Sequence, residues 1–393
     1  MPWKVDQIMD QRIEFAQEAL HTGNFTELCK KYEISRPTGY KWIERYKSSG
    51  AEAMVNQSKR PKSSPNQLAE DVVCELIKLK HAHPNWGPKK IHWLYAKKVK
   101  TTEIPSLSSV RRVLKKAGLC KPKRRRKVTT GERIHTGVKA GSPNQVWTVD
   151  FKGWWKGKDG TKVEPLTVRD EYSRKILDVR VLKRNNTESV VAAFTLLFEK
   201  YGLPEYVRSD NGAPFAASNA ILGLSRFSAW LLALGIKLER GRPGCPQDNG
   251  AHERMHLDIY RELEIHGIGR DQDAFDIWRE EFNSIRPHES LEMQTPDDVY
   301  TKSKLKYVGT PEELDYGSVQ TRIVHQTGYI TYESHRYTLS SALRGWSVAI
   351  KAKCAVYSEV WFSLLLLGHI NHDTCAFEPQ QTKKKTSKEP QEL

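Results

Sequence analysis

Cysteine is scarce and scattered. The six cysteines (Cys29, Cys74, Cys120, Cys245, Cys354, Cys375) never approach a C-x-x-C spacing. That excludes a zinc knuckle and a disulfide framework, and it fits a reducing compartment. Long apolar runs are also missing: the longest, within VWFSLLLLGHI, is too short to cross a bilayer. The N-terminus has no apolar segment of the signal-peptide kind. A soluble cytoplasmic chain without a membrane partner is therefore expected. Acidic residues are deficient in one place. Residues 1–145 hold 30 Lys and Arg against 13 Asp and Glu, whereas the remainder holds 33 against 34. The whole excess of positive charge thus lies in the first third, which solubility alone does not explain. It points to a polyanion-binding unit joined to a neutral core, and to association with the nucleoid.

At 393 residues the chain has room for two to four domains. The first, residues 1–57, reads as three helices. Ser35 is placed to cap the third, with Pro37 in its first turn. Short helix, turn, capped helix is the helix-turn-helix plan, in which Arg36, Thr38 and Lys41 are placed to reach base edges or phosphates; an ordinary three-helix bundle has the same pattern. After a Pro/Ser/basic linker, residues 62–120 form a second helical block. Its last helix is capped by Ser108 or Ser109 and carries the basic positions Arg111, Arg112, Lys115 and Lys116. Trp86 reads as a core anchor rather than a base-stacking platform. The basic linker 121–143 includes Lys123, Arg124, Arg125, Arg126 and Lys127, an arm suited to tracking phosphates.

From Gln145 the pattern changes to strands: VWTVDFKGWW, KVEPLTVRDEY and RKILDVRVL, then a helix over 187–201 and a fourth strand in GLPEYVRSD. A helix over 219–234, a fifth strand in IKLER and a helix over 249–264 follow. Three carboxylates stand out. Asp150 lies inside the first strand, Asp210 ends the fourth at the turn Asn211-Gly212, and Glu253 occupies the first turn of the last helix. Acids buried in or at the ends of strands are costly without a compensating cation. Three converging on one point would hold hard divalent cations through oxygen. In a basic protein, that chemistry is metal-assisted displacement at a phosphodiester.

These motifs, taken in order (WGPKKI, VWTVDF, RSDNGAPF, RPGCPQDNGAHERMH, RPHESLEMQTP), resemble the DDE core shared by retroviral integrases and insertion-sequence transposases. The likeness is closest to family 481 of bacterial insertion sequences and spans nearly the whole chain. The resemblance implies a multidomain fold: all-α helix-turn-helix domains, a central α/β ribonuclease-H-like core over 144–300, and a small β-barrel over 310–376. Residues 377–393 read as a disordered tail. It implies Asp150, Asp210 and Glu253 as catalytic metal ligands for two Mg²⁺ per site, with Mn²⁺ able to substitute. The ions would lie ~3.5–4 Å apart. It also implies double-stranded DNA as partner, both the element's terminal inverted repeats and the target, gripped by a dimer or tetramer. Arg254 would contact phosphate, while Asn211 and Asn249 either support the site or are simple turn residues. His256 reads as a surface or packing residue, and Asp170 as a structural acid.

Two departures stand beside the likeness. The chain lacks the zinc-binding His/Cys cluster of retroviral integrases, and 42 residues separate Asp210 from Glu253, more than the motif's usual spacer. The surplus is expected in SNAILGLSRFSAWLLALG, away from the acids. Asp248 is the rival third carboxylate. The function expected is a transposase that cuts the ends of its element and transfers the 3′-OH ends into target DNA. The alternative is a transposase-derived DNA-binding regulator with an idle core.

Overall fold

The computed structural model describes residues 8–58, 67–99, 104–120, 137–156, 159–217, 220–241, 250–263, 271–380 and 391–392. The basic run with Lys123, Arg124, Arg125, Arg126 and Lys127 lies outside the described residues, as do Asp248 and Asn249. The chain divides into two compact units, Met1–Gln67 and Leu68–Leu393.

The first unit is helical: α1 (Ile8–His21), α2 (Phe25–Lys31) and α3 (Arg36–Ser49), then a 3₁₀ turn over Ala51–Met54. Ser35 accepts a hydrogen bond from the Thr38 amide, so the helix start follows the cap that the sequence announces. Phe15, Leu28, Cys29, Ile34, Trp42 and Met54 form the core. Gly39 makes the close approach possible: a Cβ there would stand 2.8 Å from Phe25 and 2.9 Å from the Cys29 sulfur. The Arg12 guanidinium lies 3.9 Å over the Trp42 ring and donates to the Met54 carbonyl at 2.8 Å.

The second unit begins with α4 (Glu70–Ala82), α5 (Pro88–Lys98) and α6 (Leu107–Lys116), packed around Leu76, Trp86, Ile91, Val110 and Leu114. The cap of α6 is Ser106, whose oxygen accepts from the Ser109 amide. The expected caps Ser108 and Ser109 instead lie inside the first turn, because Pro105 holds the chain extended just before Ser106. Trp86 is buried and stacks on His83 at 4.0 Å, an anchor as expected. This helical block docks on the core. His83 Nδ1 pairs with Glu281 at 2.8 Å, the Asn85 amide donates to the Arg261 carbonyl at 3.3 Å, and Lys89 pairs with Glu289 at 3.2 Å. A cavity of about 570 Å³ lies in the seam, between His83, Trp86, Leu263 and Trp278.

The core sheet starts with β1 (Val146–Phe151). A small hairpin of β2 (Trp155–Lys156) and β3 (Lys162–Val163) follows, then β4 (Leu166–Asp170) and β5 (Ile176–Arg180). The long second strand expected from KVEPLTVRDEY is split at Pro165, which has no amide to donate; its carbonyl accepts from Lys152. Next come α7 (Thr187–Tyr201), β6 (Tyr206–Ser209), α8 (Arg226–Ala233), β7 (Lys237–Arg240), α9 (Gly250–Glu262), α10 (Gln272–Glu280) and α11 (Pro296–Val299). The helix expected over 219–234 is shorter than the sequence suggests. A 3₁₀ turn over Ile221–Gly223 precedes it, and the Ser225–Ser228 capping box starts α8 only at Arg226.

With β15 (Gln391–Glu392) at one edge, the strand order of the main sheet is β15-β7-β6-β1-β4-β5, with β1 antiparallel to β4 and parallel to β6. The first and fourth major strands are thus neighbours. One face carries Trp147, Val149, Leu166 and Val168 against α7 and α8. The other meets α9 and α10, through Ile176 and Val179 packed on Met255, Ile259 and Phe275. A bulge at Val168/Arg169 lets both Ile176 and Val179 turn to that side. The outer edge of β5 is closed by side chains: Asn283 accepts from the Ile176 amide and donates to its carbonyl, at 2.9 and 2.8 Å.

The C-terminal region holds β8 (Gln320–Ile323), β9 (Tyr329–Tyr332), β10 (His335–Thr338), β11 (Ser347–Ala352), β12 (Tyr357–Phe362), β13 (Leu365–Asn371) and β14 (Ala376–Pro379). The barrel expected over 310–376 is not closed. Five strands form an open sheet in the order β14-β13-β12-β11-β8, and the β9–β10 hairpin stands beside both edge strands without joining either ladder. Phe377–Pro379, expected in a disordered tail, is instead the end of β14, and β15 (Gln391–Glu392) pairs with β7. Ladder bonding orders these short stretches despite their polar composition.

Candidate active site

Asp150 stands near the end of β1, opposite Thr167 in the antiparallel ladder. Alternation puts Thr148, Asp150, Thr167 and Arg169 on the sheet face that meets α9, whereas their neighbours Trp147, Val149 and Val168 enter the core on the opposite face. Asp210 follows β6 directly and is exposed. Its Oδ1 accepts from the Gly212 amide at 3.1 Å, and Asn211 donates to the Gly241 carbonyl at 2.8 Å. The turn after β6 is thereby tied to the end of β7, which fixes where Asp210 begins. Glu253 lies in the first turn of α9, exposed on the helix that packs against β1.

The three acids share one electrostatic neighbourhood. The Asp150 carboxyl is pushed up to about 7, first by burial, then by the negative charge of Asp210, with Glu253 adding to it; the Phe151 amide works the other way. A half-buried carboxyl raised by two further acids is an uncompensated negative site, and its all-oxygen donor set suits a hard dication. Among the described residues no three His, Cys, Asp or Glu side chains stand close enough to form a finished cage. The acids face one another at electrostatic rather than coordinating range.

Beside the apolar packing of Met255 and Ile259, a polar network that sequence reasoning missed holds α9 on the sheet. Thr167 Oγ1 donates to the Asp150 carbonyl at 2.9 Å. With its one proton so used, it accepts from His252 Nε2 at 2.6 Å and from His256 Nε2 at 2.8 Å. His252 Nδ1 is then an acceptor for the Thr148 hydroxyl at 2.9 Å. The accounting closes with both imidazoles neutral. Burial agrees, pushing His252 well below its ordinary value and His256 down to about 3. His256, expected at the surface or in packing, is thus part of a hydrogen-bonded cluster. The signal available in the sequence was its i, i+4 relation to His252.

A second polar row crosses the same face. Arg208 on β6 pairs with Glu239 on β7 at 3.1 Å, and Glu171 lies 3.9 Å from Arg208 and 4.0 Å from Arg169. Val138 crosses above: its amide donates to Glu239 at 3.0 Å and its carbonyl accepts from Arg208 at 2.7 Å.

Asp170 is fully buried and accepts from the amides of Asn144 and Ser173, a turn-closing acid rather than a ligand. Arg254 points outward and pairs with Asp258 at 3.5 Å. Among the expected DNA contacts, Arg36, Lys41, Arg111, Arg112 and Lys115 are exposed. Thr38 is half-buried, with its hydroxyl 2.9 Å from the Ser35 oxygen in the helix cap. Near α9, Arg286 pairs with Asp258 at 2.9 Å and with Glu262 at 3.3 Å. Lys90 of α5 enters this cluster, and its ammonium is lowered to about 8, chiefly by burial and then by Arg286.

The family matches agree with this domain order. Residues 140–246 and 234–296 match integrase core domain families, residues 11–62 a helix-turn-helix domain, and residues 38–114 a homeodomain-like domain. The insertion element IS407 uncharacterized 31.7 kDa protein of Burkholderia multivorans is 24% identical over 246 residues, 62% of this chain and 85% of that protein. The insertion element IS476 uncharacterized 39.2 kDa protein of Xanthomonas euvesicatoria is 27% identical over 233 residues, 58% of this chain and 63% of that protein. Among solved structures, the HTLV-2 integrase catalytic core domain in complex with magnesium aligns over 42% of this chain and 100% of its own, at 19% identity and a TM-score of 0.34.

Proposed function

With an integrase core domain behind helix-turn-helix domains, this chain is of the bacterial insertion-sequence transposase type, and on that premise we propose that it cuts the ends of its own element and joins the freed 3′-OH ends to target DNA. The reading rests on one observation above the rest: β1, β6 and α9 bring Asp150, Asp210 and Glu253 near enough that the charges of the other two acids add to burial in raising the Asp150 carboxyl to about 7.

The three carboxylates would hold Mg²⁺, or Mn²⁺ in its place. A pair of such ions supplies an activated attacking oxygen and neutralises charge on the phosphate and the leaving oxygen. The chain's own residues do the rest. Asp150, set in the sheet, is the rigid member. Asp210 and Glu253, exposed on either side of it, leave the mouth open to a duplex. The exposed basic residues of α3 and α6 grip the ends, the first unit and α6 reading sequence while Lys and Arg side chains neutralise phosphates. Cutting two ends and joining them to one target calls for a dimer or tetramer on DNA, with one subunit's core acting on the end held by another.

The test is purified full-length protein with DNA carrying the element's ends, with and without Mg²⁺ or Mn²⁺. Metal-dependent nicking at the ends and transfer products are expected. Tight, sequence-specific binding with no nicking under any divalent cation would make the chain a regulator with an idle core.

A further inference from the structure

We propose that Thr167, acting with His252 and His256, is the positioning residue that sets Glu253 relative to Asp150. The proposal rests on the strand-transfer reading of the three acids. Glu253 sits at the exposed start of α9, where its helix gives it a direction but does not fix its place on the sheet. The histidines on either side of it do that. His252 and His256 project from one face of α9, and both rings converge on a single hydroxyl on β4. That hydroxyl in turn bonds the backbone of Asp150. The Thr148 hydroxyl, two residues before Asp150 on the same face of β1, holds the other nitrogen of His252.

The geometry constrains two motions at once. A helix rises about 1.5 Å and turns about 100° per residue, so a slip of one residue would carry both rings off Thr167 Oγ1. Two histidines four apart fix the rotation of α9 as well as its height on the sheet. The hydroxyl has one donor and two acceptor positions, and all three are used, so no second arrangement satisfies these buried groups equally well. The link from Glu253 to Asp150 therefore passes through Thr167, His252 and His256. Groups of this kind, one step behind a metal-holding carboxylate, typically change metal affinity or activity by about 10–100-fold when removed.

The test compares Thr167→Val, which keeps the shape and removes the hydroxyl, with Thr167→Ser, which keeps it. Full-length proteins are assayed for end cleavage, for DNA affinity, and for Mn²⁺ binding by titration calorimetry. The expectation is that Thr167→Val loses at least about tenfold in both cleavage rate and Mn²⁺ affinity with DNA affinity unchanged, and that Thr167→Ser recovers both to within a few-fold. Should Thr167→Val fail to fold by circular dichroism, Thr148→Val removes one bond of the same network and is expected to weaken Mn²⁺ binding in the same direction. A folded Thr167→Val or Thr148→Val protein with wild-type Mn²⁺ affinity overturns the proposal. A wild-type protein that binds DNA but never cuts it refutes the strand-transfer reading instead, and the Mn²⁺ measurement still decides the positioning role.

Discussion

Arg208 and Glu239 face each other across the parallel β6–β7 ladder and pair at 3.1 Å, with both side chains almost wholly buried. The Val138 backbone lies over the pair and bonds to both members. Gly137 fits there because a Cβ would fall 1.9 Å from the Glu239 carboxylate. The segment that leads from the basic arm into the core is therefore fastened on the face that carries Asp150.

Removing one member of that pair should be worse than removing both. Glu239→Ala leaves a buried guanidinium with Glu171 at 3.9 Å as its remaining acid and should cost about 3 kcal/mol; the double change Arg208→Met with Glu239→Leu should cost less. Urea denaturation of the three proteins gives the comparison. A loss under about 1 kcal/mol in the single variant would show that Glu171 suffices.

The acids should act as a unit. Asp150→Asn, Asp210→Asn and Glu253→Gln are each expected to abolish cleavage and joining while leaving end binding within a few-fold, measured by gel assays on the same DNA. Substantial Mg²⁺-dependent cutting by Glu253→Gln would remove Glu253 and promote Asp248.

Acid should weaken the α9 face. A base whose folded pKa is depressed takes up a proton on unfolding. Its contribution is therefore complete above about pH 6.5 and is lost as the pH falls toward the folded value. For His256, lowered to about 3 chiefly by burial, the loss at pH 5 is about 2 kcal/mol. The raised Asp150 carboxyl works in the opposite direction between about pH 4 and 7, so the contribution must be isolated. Urea midpoints of wild type and His256→Gln at pH 7.5 and pH 5 do this. The wild-type advantage should shrink by about 2 kcal/mol at the lower pH, and a constant gap would count against a neutral buried imidazole.

The exposed basic face of α6 should bind phosphates rather than build the fold. Neutralising Arg111, Arg112 and Lys115 should leave thermal stability nearly unchanged. The slope of log affinity against log salt should fall by up to about 0.9 for each phosphate no longer neutralised. An unchanged slope in a fluorescence-anisotropy salt series would place the DNA elsewhere.

Much of this was legible in the residues. β-branched and aromatic clusters marked β1, β4, β5 and β6. The capped α3 was announced by Ser35 and Pro37. Where the reading failed, a local stop outweighed a hydrophobic pattern: Pro165 cut a strand, and the Ser225–Ser228 box shortened a helix. The closing of a barrel depends on edge-to-edge bonding that alternation does not encode. The Thr167 cluster joins residues up to 104 apart in sequence, and nothing local marks such a meeting.

The seating of the second helical block on the core has a metric consequence. His83, Asn85 and Lys89 fasten it to Glu281, Arg261 and Glu289, all within one compact unit. On the proposed reading, the exposed basic face of α6 and Asp150 of one chain are therefore held at a spacing set by protein dimensions, not by the slack of a tether. A subunit that grips one end through α6 then carries its acids to the other end at a fixed offset, and no stretching of the chain alters it.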